Sequence, residues 1–128
     1  MPEISAVLEV SPDSIKAFRS NELDMHLSFT MAEDEHYWLE CVLEVPPPLS
    51  LAPDKSLLNG KLLIGILEKD APKEKRLKIF SSNDVYPNTY KIKVTLYVYD
   101  KDGAISERKE YFKELECGDE NAKVLQSV

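Results

Sequence analysis

His26 and His36, with Asp34 and Glu35 between them, are the residues of this chain whose types come nearest to a metal-binding set. A metal site needs three or four ligands that converge from fixed positions. His26 falls inside one strand-like stretch and His36 opens the next, so convergence would require those two stretches to pair. In a sandwich they belong to different sheets, and no metal site is expected. The thiols are Cys41 and Cys117, and neither can be matched with a histidine in a nucleophilic dyad. Cys41 lies on the apolar side of its stretch, the pattern of a buried and inert thiol. There is no Gly-x-Ser-x-Gly run, and four glycines in 128 residues leave no phosphate-cradling loop. The expectation is a chain that is not an enzyme and carries no cofactor.

Composition narrows the class further. Hydrophobic residues make up 43% of the chain and charged residues 30%, the balance of a globular domain. A chain of this length supports one core that buries roughly two-thirds of its unfolded surface. The net charge of −7 argues against a nucleic-acid partner, which would want a basic face, and against an anionic membrane surface. No apolar run approaches the roughly 20 residues that span a bilayer. The first residues show neither a basic nor an apolar leader segment, so the expected location is cytoplasmic and the expected state of both cysteines is the free thiol. The density of Glu and Lys hints at a thermophilic source.

The elements that would position any site are strands. Thr89–Asp100 alternates strictly, with Tyr90, Ile92, Val94, Leu96 and Val98 on one face and Lys91, Lys93, Thr95, Tyr97 and Tyr99 on the other. Turn chemistry bounds it at Tyr86-Pro87-Asn88 and Lys101-Asp102-Gly103. Glu22–Met31 and His36–Val45 alternate as cleanly. Ile4–Val10 is a further strand, and Ile15–Phe18 a short edge segment after the break at Pro12. Pro46-Pro47-Pro48 ends pairing, because three successive residues lack an amide donor. Leu49–Ser56 reads as a surface loop, Leu57–Leu67 as a strand interrupted by Gly60 and Gly65, and Leu77–Ser81 as a short strand. After Asp102-Gly103 a two- or three-residue hairpin turns the chain back. The adjacent Tyr111 and Phe112 suggest a bulge that switches the face of that last strand. A half-buried antiparallel strand needs a second sheet, so about seven strands with no amphipathic helix read as an all-β, Greek-key sandwich of two antiparallel sheets. The domain is expected over residues 1–117. The tail 118–128 is expected to be mobile, a short helix being the alternative.

Pro87-Asn88-Thr89-Tyr90-Lys91-Ile92-Lys93-Val94 resembles the stretch that enters strand F of immunoglobulin-like (Ig-like) and fibronectin type III-like domains. Ile64-Gly65-Ile66-Leu67, a charged loop containing Pro72, and then Leu77-Lys78-Ile79 resemble the strand–loop–strand before it. The likeness is to bacterial and archaeal modules of the CARDB and NEW3 kind. It implies an Ig-like fold, and it implies that the Tyr90 hydroxyl bonds back to the backbone at the corner before the strand. The cysteines do not follow the antibody pattern, with one on each of strands B and F.

By the same alternation Trp38 and Val42 leave the outward side of their strand, as Tyr97 and Tyr99 leave theirs; the alternatives are a bulged strand that places Trp38 in the core and a merely solvated face for the two tyrosines. If these strands are neighbours in one sheet, the four residues form one aromatic patch that marks a protein partner or self-association. The function expected is an interaction or structural module. The alternative is a small-ligand-binding or chaperone-like sandwich.

Overall fold

The computed structural model describes residues 3–118. Nine strands follow one another: β1 (Ile4–Ser11), β2 (Ser14–Lys16), β3 (Asn21–Met31), β4 (His36–Glu44), β5 (Leu49–Ser50), β6 (Asn59–Glu68), β7 (Lys73–Ser81), β8 (Asn88–Tyr99) and β9 (Ile105–Gly118). No helix occurs among the described residues. A four-stranded sheet has the order β1-β3-β7-β5 and a five-stranded sheet the order β2-β9-β8-β4-β6. All pairs are antiparallel except β2 with β9, where Ser14–Lys16 runs parallel to Glu116–Gly118.

The strict alternation of β3, β4 and β8 builds the core. Leu27, Phe29, Leu39, Leu43, Ile92, Val94 and Leu96 are all buried, facing one another across the two sheets. Consecutive strands β3 and β4 lie in different sheets. This crossing is the Greek-key step of an Ig-like sandwich. The expected fold class therefore holds, with two strands more than seven.

The differences are local. The stretch expected to be a loop from Leu49 opens with β5, a two-residue strand whose Leu49 and Ser50 pair with Ser81 and Phe80. Leu49 is buried in the core, and this anchors the segment after the three prolines. Strand β7 begins at Lys73 rather than Leu77, because Lys73 and Lys75 pair with Phe29 and Leu27 of β3. Cys117 lies within β9, opposite Ile15, and is buried. The strand itself runs one residue past the expected domain end, to Gly118; the rest of the expected tail lies outside the described residues.

The β8–β9 hairpin takes the three-residue form. Asp100 N–H donates to Ala104 O at 2.9 Å, and Gly103 holds a positive φ of 81° in the turn between. Asp100 Oδ1 also accepts from the N–H groups of Asp102 and Ala104. The bulge sits beside this turn and not at Tyr111-Phe112. Val98 pairs with Glu107 and Tyr99 with Ile105, which leaves Ser106 as the extra residue. Beyond it the register is continuous, so Tyr111 turns inward against the core while Phe112 turns outward and is exposed.

Candidate interaction face

The outward side of the five-stranded sheet collects the residues singled out in the sequence. Strand β4 pairs with β8, placing Trp38 directly opposite Tyr99, Glu40 opposite Tyr97 and Val42 opposite Thr95. Residues opposite one another across a ladder share a face. Trp38, Val42, Tyr97 and Tyr99 therefore stand together, with Trp38 exposed and the other three half-buried.

Four residues of this face escaped sequence reasoning. Trp38 also pairs with Ile66 of β6, and Tyr99 with Ile105 of β9. The result is an unbroken row across four strands: Ile66, Trp38, Tyr99, Ile105. Leu63 sits in the next row opposite Glu40, and Phe112 lies farther down β9 opposite Lys93. Relative exposure is 48% for Ile66, 55% for Leu63, 58% for Ile105 and 57% for Phe112. Without irregularity, Leu63 and Ile66 would point to opposite faces, because the side-chain period of a strand is two. A bulge between the partners of Leu39 and Glu40 makes Ile64 the extra residue, and Gly65 adopts a φ of 113° there. Leu63 and Ile66 then both face outward, while Ile64 and Leu67 are buried. Gly65 was the available signal, since an isolated glycine in a strand often marks a bulge. Ser106 does the same for Ile105 and Arg108 on β9 without any such marker.

The charges around Glu40 and Glu110 on this face are paired within it. Glu40, half-buried at its centre, accepts from Trp38 Nε1 at 3.2 Å and from the Tyr99 hydroxyl at 3.3 Å, and pairs with Lys61 Nζ at 3.1 Å. The Trp38 hydrogen bond, helped by the Lys61 ammonium, holds the Glu40 carboxyl below the usual carboxylate range. Arg108 lies 2.8 Å from Glu110, and Lys93 lies 3.5 Å from Glu110 and 3.7 Å from Glu44. The Arg108 bond and the nearby Lys93 charge likewise lower the Glu110 carboxyl. Arg108 also reaches over the Tyr97 ring, 5.9 Å from its centroid, within cation–π range.

Tyr90 occupies the corner position that the resemblance implied. Its hydroxyl donates to Tyr86 O at 2.7 Å, and its buried ring meets the Tyr86 ring edge-on at 6.0 Å. Burial raises its hydroxyl pKa.

The residues that suggested chemistry are dispersed. His26 is on β3 of the four-stranded sheet, 3.5 Å from Glu74, whereas His36 opens β4 in the other sheet. Among the described residues no three His, Cys, Asp or Glu side chains group as metal ligands. Cys41 is fully buried, and burial pushes its thiol up to about 12. Two crevices bear on ligand binding. One, of about 690 Å³, lies beside β5, and its Asn21, Ser50 and Ser81 side chains are bonded within the chain. Ser50 Oγ there donates to Lys55 O and accepts from the N–H groups of Ala52 and Leu57. The other, of about 230 Å³, is an apolar slot at the seam between the sheets, lined by Leu51, Leu57, Leu62, Leu77 and Phe80 among others.

No protein-family model and no curated protein matches the chain. Solved structures do. A chain of the human seminal-plasma complex between Zinc 2-glycoprotein and Prolactin inducible protein matches with a TM-score of 0.61 and 18% identity, over 90% of this chain and 93% of that one. AvmM, which catalyses macrocyclization in Alchivemycin A biosynthesis, matches at 0.53 with 11% identity, over 90% and 89%. A CARDB domain from Pyrococcus furiosus in complex with di-metal ions matches at 0.50 with 13% identity, over 91% and 89%. At these identities the likeness shows the fold alone: an Ig-like β-sandwich, shared with a CARDB domain.

Proposed function

We propose that this chain is a non-enzymatic interaction module that docks a protein partner on the outward face of its five-stranded sheet. The observation that carries this reading is the distribution of exposed apolar side chains. Among the described residues, five of the nine large exposed hydrophobics, Trp38, Leu63, Ile66, Ile105 and Phe112, lie on that one face. Scattered exposed apolar residues are ordinary on any protein, but a contiguous patch marks an interaction site. The aromatic content of the patch fits, since Trp and Tyr are enriched where partners bind. The likeness to a chain of a protein–protein complex is consistent with such a role.

The fold does not decide against catalysis, because AvmM shares it. The non-enzymatic reading rests on the residues: the histidines lie in opposite sheets, and the Cys41 thiol is buried and hard to ionise. The seam slot supports a second reading, an apolar small-ligand carrier. Its 230 Å³ falls below the range of about 300–1,000 Å³ usual for ligand pockets, so the face is preferred. A cytoplasmic location is part of the proposal, in keeping with two free, buried thiols.

The double change Tyr97→Ser with Tyr99→Ser tests the reading. It should leave the circular dichroism spectrum native while removing partner capture or self-association. A folded variant that still captures its partner would sink the docking face.

A further inference from the structure

We infer that the docking face takes a basic partner, a protein surface that sets apolar side chains beside Lys or Arg, and not a second copy of this chain; the inference rests on the docking reading above. The apolar row lies at one end of the face, against the loops that join β3 to β4, β6 to β7 and β8 to β9. Those loops and the strand ends beside them carry Glu33, Asp34, Glu35, Glu68, Asp70, Asp100 and Asp102 against three lysines, Lys69, Lys73 and Lys101. Each residue of the row stands within three positions of one of these carboxylates: Ile66 of Glu68, Trp38 of Glu35, Tyr99 of Asp100 and Ile105 of Asp102.

Elsewhere on the face the carboxylates are offset: Glu114 stands opposite Lys91 and Glu116 accepts from the Thr89 hydroxyl. Glu40, Glu44 and Glu110 are matched by Lys61, Lys93 and Arg108 in ion pairs. Among the described residues none of these seven rim carboxylates forms an ion pair. The negative field at this end is felt by Tyr37, whose hydroxyl pKa is raised by its hydrogen bond to Glu35 and, after burial, by the charges of Glu35, Glu33 and Asp100. A partner that seats on the row must meet this rim. A cationic surface is drawn to it, and complementary charge sets which partner is accepted and how fast it arrives. A second copy would bring the same net −7 toward it.

Salt separates these occupants. Screening over a Debye length of about 8 Å weakens attraction to a basic partner and relieves repulsion between two acidic copies. The probe is a fluorescent amphipathic peptide of about 18 residues built from Leu, Trp and Lys, with a counterpart carrying Glu in place of Lys, read by fluorescence anisotropy. The basic peptide should bind the chain and the acidic one should not. Raising salt from about 0.05 M to about 0.5 M should weaken binding about tenfold or more, as should the isosteric rim variant Asp34→Asn, Glu68→Gln, Asp70→Asn, Asp102→Asn. The face variant Leu63→Ser with Ile66→Ser should lose binding, and Ile105→Ser on a different strand repeats that test. A rim variant that binds like the parent, an acidic peptide that binds as well, or no binding of the basic peptide overturns the basic partner. If the face variants still lose whatever binding the parent shows, the docking reading survives that failure. If they bind the basic peptide as tightly as the parent, both readings fail. A dimer that salt tightens and the face variant dissolves makes a second copy the occupant, which overturns this inference and leaves the docking face standing.

Discussion

The two outward faces of the sandwich arise from the same alternation and carry opposite chemistry. On the four-stranded sheet, Glu22, Asp24, His26, Ser28 and Thr30 of β3 point outward, next to Glu74, Arg76 and Lys78 of β7. Val7 is the large exposed hydrophobic of that face, and Glu22 and Lys78 pair across it at 3.1 Å. On the five-stranded sheet the outward positions hold Trp38, Tyr97, Tyr99, Leu63, Ile66, Ile105 and Phe112 among the paired charges of Glu40, Lys61, Lys93, Arg108 and Glu110. Folding requires only that one side of each sheet be apolar, and the first face shows that the outer side is free to be polar. The apolar outer face is therefore not explained by the core. Two bulges, at Ile64 and Ser106, each turn an additional apolar residue onto it at the same level. Bulges are used in this way to re-aim side chains at functional sites.

Mutations that calibrate the inside against the two outsides sharpen this contrast. The largest effect is expected at the shared core. Leu96→Ala removes a fully buried side chain and should cost about 2–5 kcal/mol in denaturant titration. A loss below about 1 kcal/mol would mean that the inside is less tightly packed than the exposure values imply.

Alkaline pH gives the next effect. Burial raises the Cys41 thiol to about 12 in the folded chain, above its unfolded value of about 8.5. Between those values the unfolded chain holds fewer protons than the folded one, so stability falls as pH rises, by up to about 1.4 kcal/mol per pH unit. Below about pH 8 the thiol contributes no pH dependence. Cys41→Val should flatten the alkaline limb of a stability–pH curve relative to the parent. The same burial should keep Cys41 unalkylated in the native state at neutral pH, with both thiols reacting after unfolding. An intact mass two hydrogens short would reveal a disulfide and remove the support for a cytoplasmic location.

A smaller effect is expected at the corner. Tyr90→Phe deletes the 2.7 Å bond to Tyr86 O and leaves the ring in place, for a loss of about 0.5–1.5 kcal/mol. The smallest effects belong to the outer faces. Val7→Ser and Leu63→Ser should each change stability by less than about 0.5 kcal/mol, because both side chains are about half exposed already. If Leu63→Ser cost as much as Leu96→Ala, the apolar outer face would be part of the packing and the contrast between the two faces would collapse.

How much of this was legible follows from what each feature depends on. Strands β3, β4 and β8 alternate without interruption, so their inward and outward residues could be read directly, and Tyr90 carried its corner role in the resemblance. Trp38, Val42, Tyr97 and Tyr99 could be grouped because their strands are long and regular. Leu63 and Ile66 could not, because their placement hangs on one extra residue, and Gly65 was read as an interruption rather than as the device that turns both outward. Ser106 carries no special backbone requirement, so the phase change was sought at Tyr111-Phe112, where two adjacent aromatics made it conspicuous. Strand β5 is too short to show a period, and only its pairing with Ser81 and Phe80 defines it. The acidic rim was visible only as separate charged loops. Its meaning depends on the topology that brings three connections to one end.

If the docking proposal holds, partners meet the outward face of the five-stranded sheet and not the other. Site-specific photo-cross-linking addresses it most directly, with a photoreactive phenylalanine analogue placed at Leu63 in one chain and at Val7 in another, both expressed in living cells. Position 63 should give discrete higher-mass adducts and position 7 none. Adducts of equal yield from both positions, or from position 7 alone, would contradict the proposal.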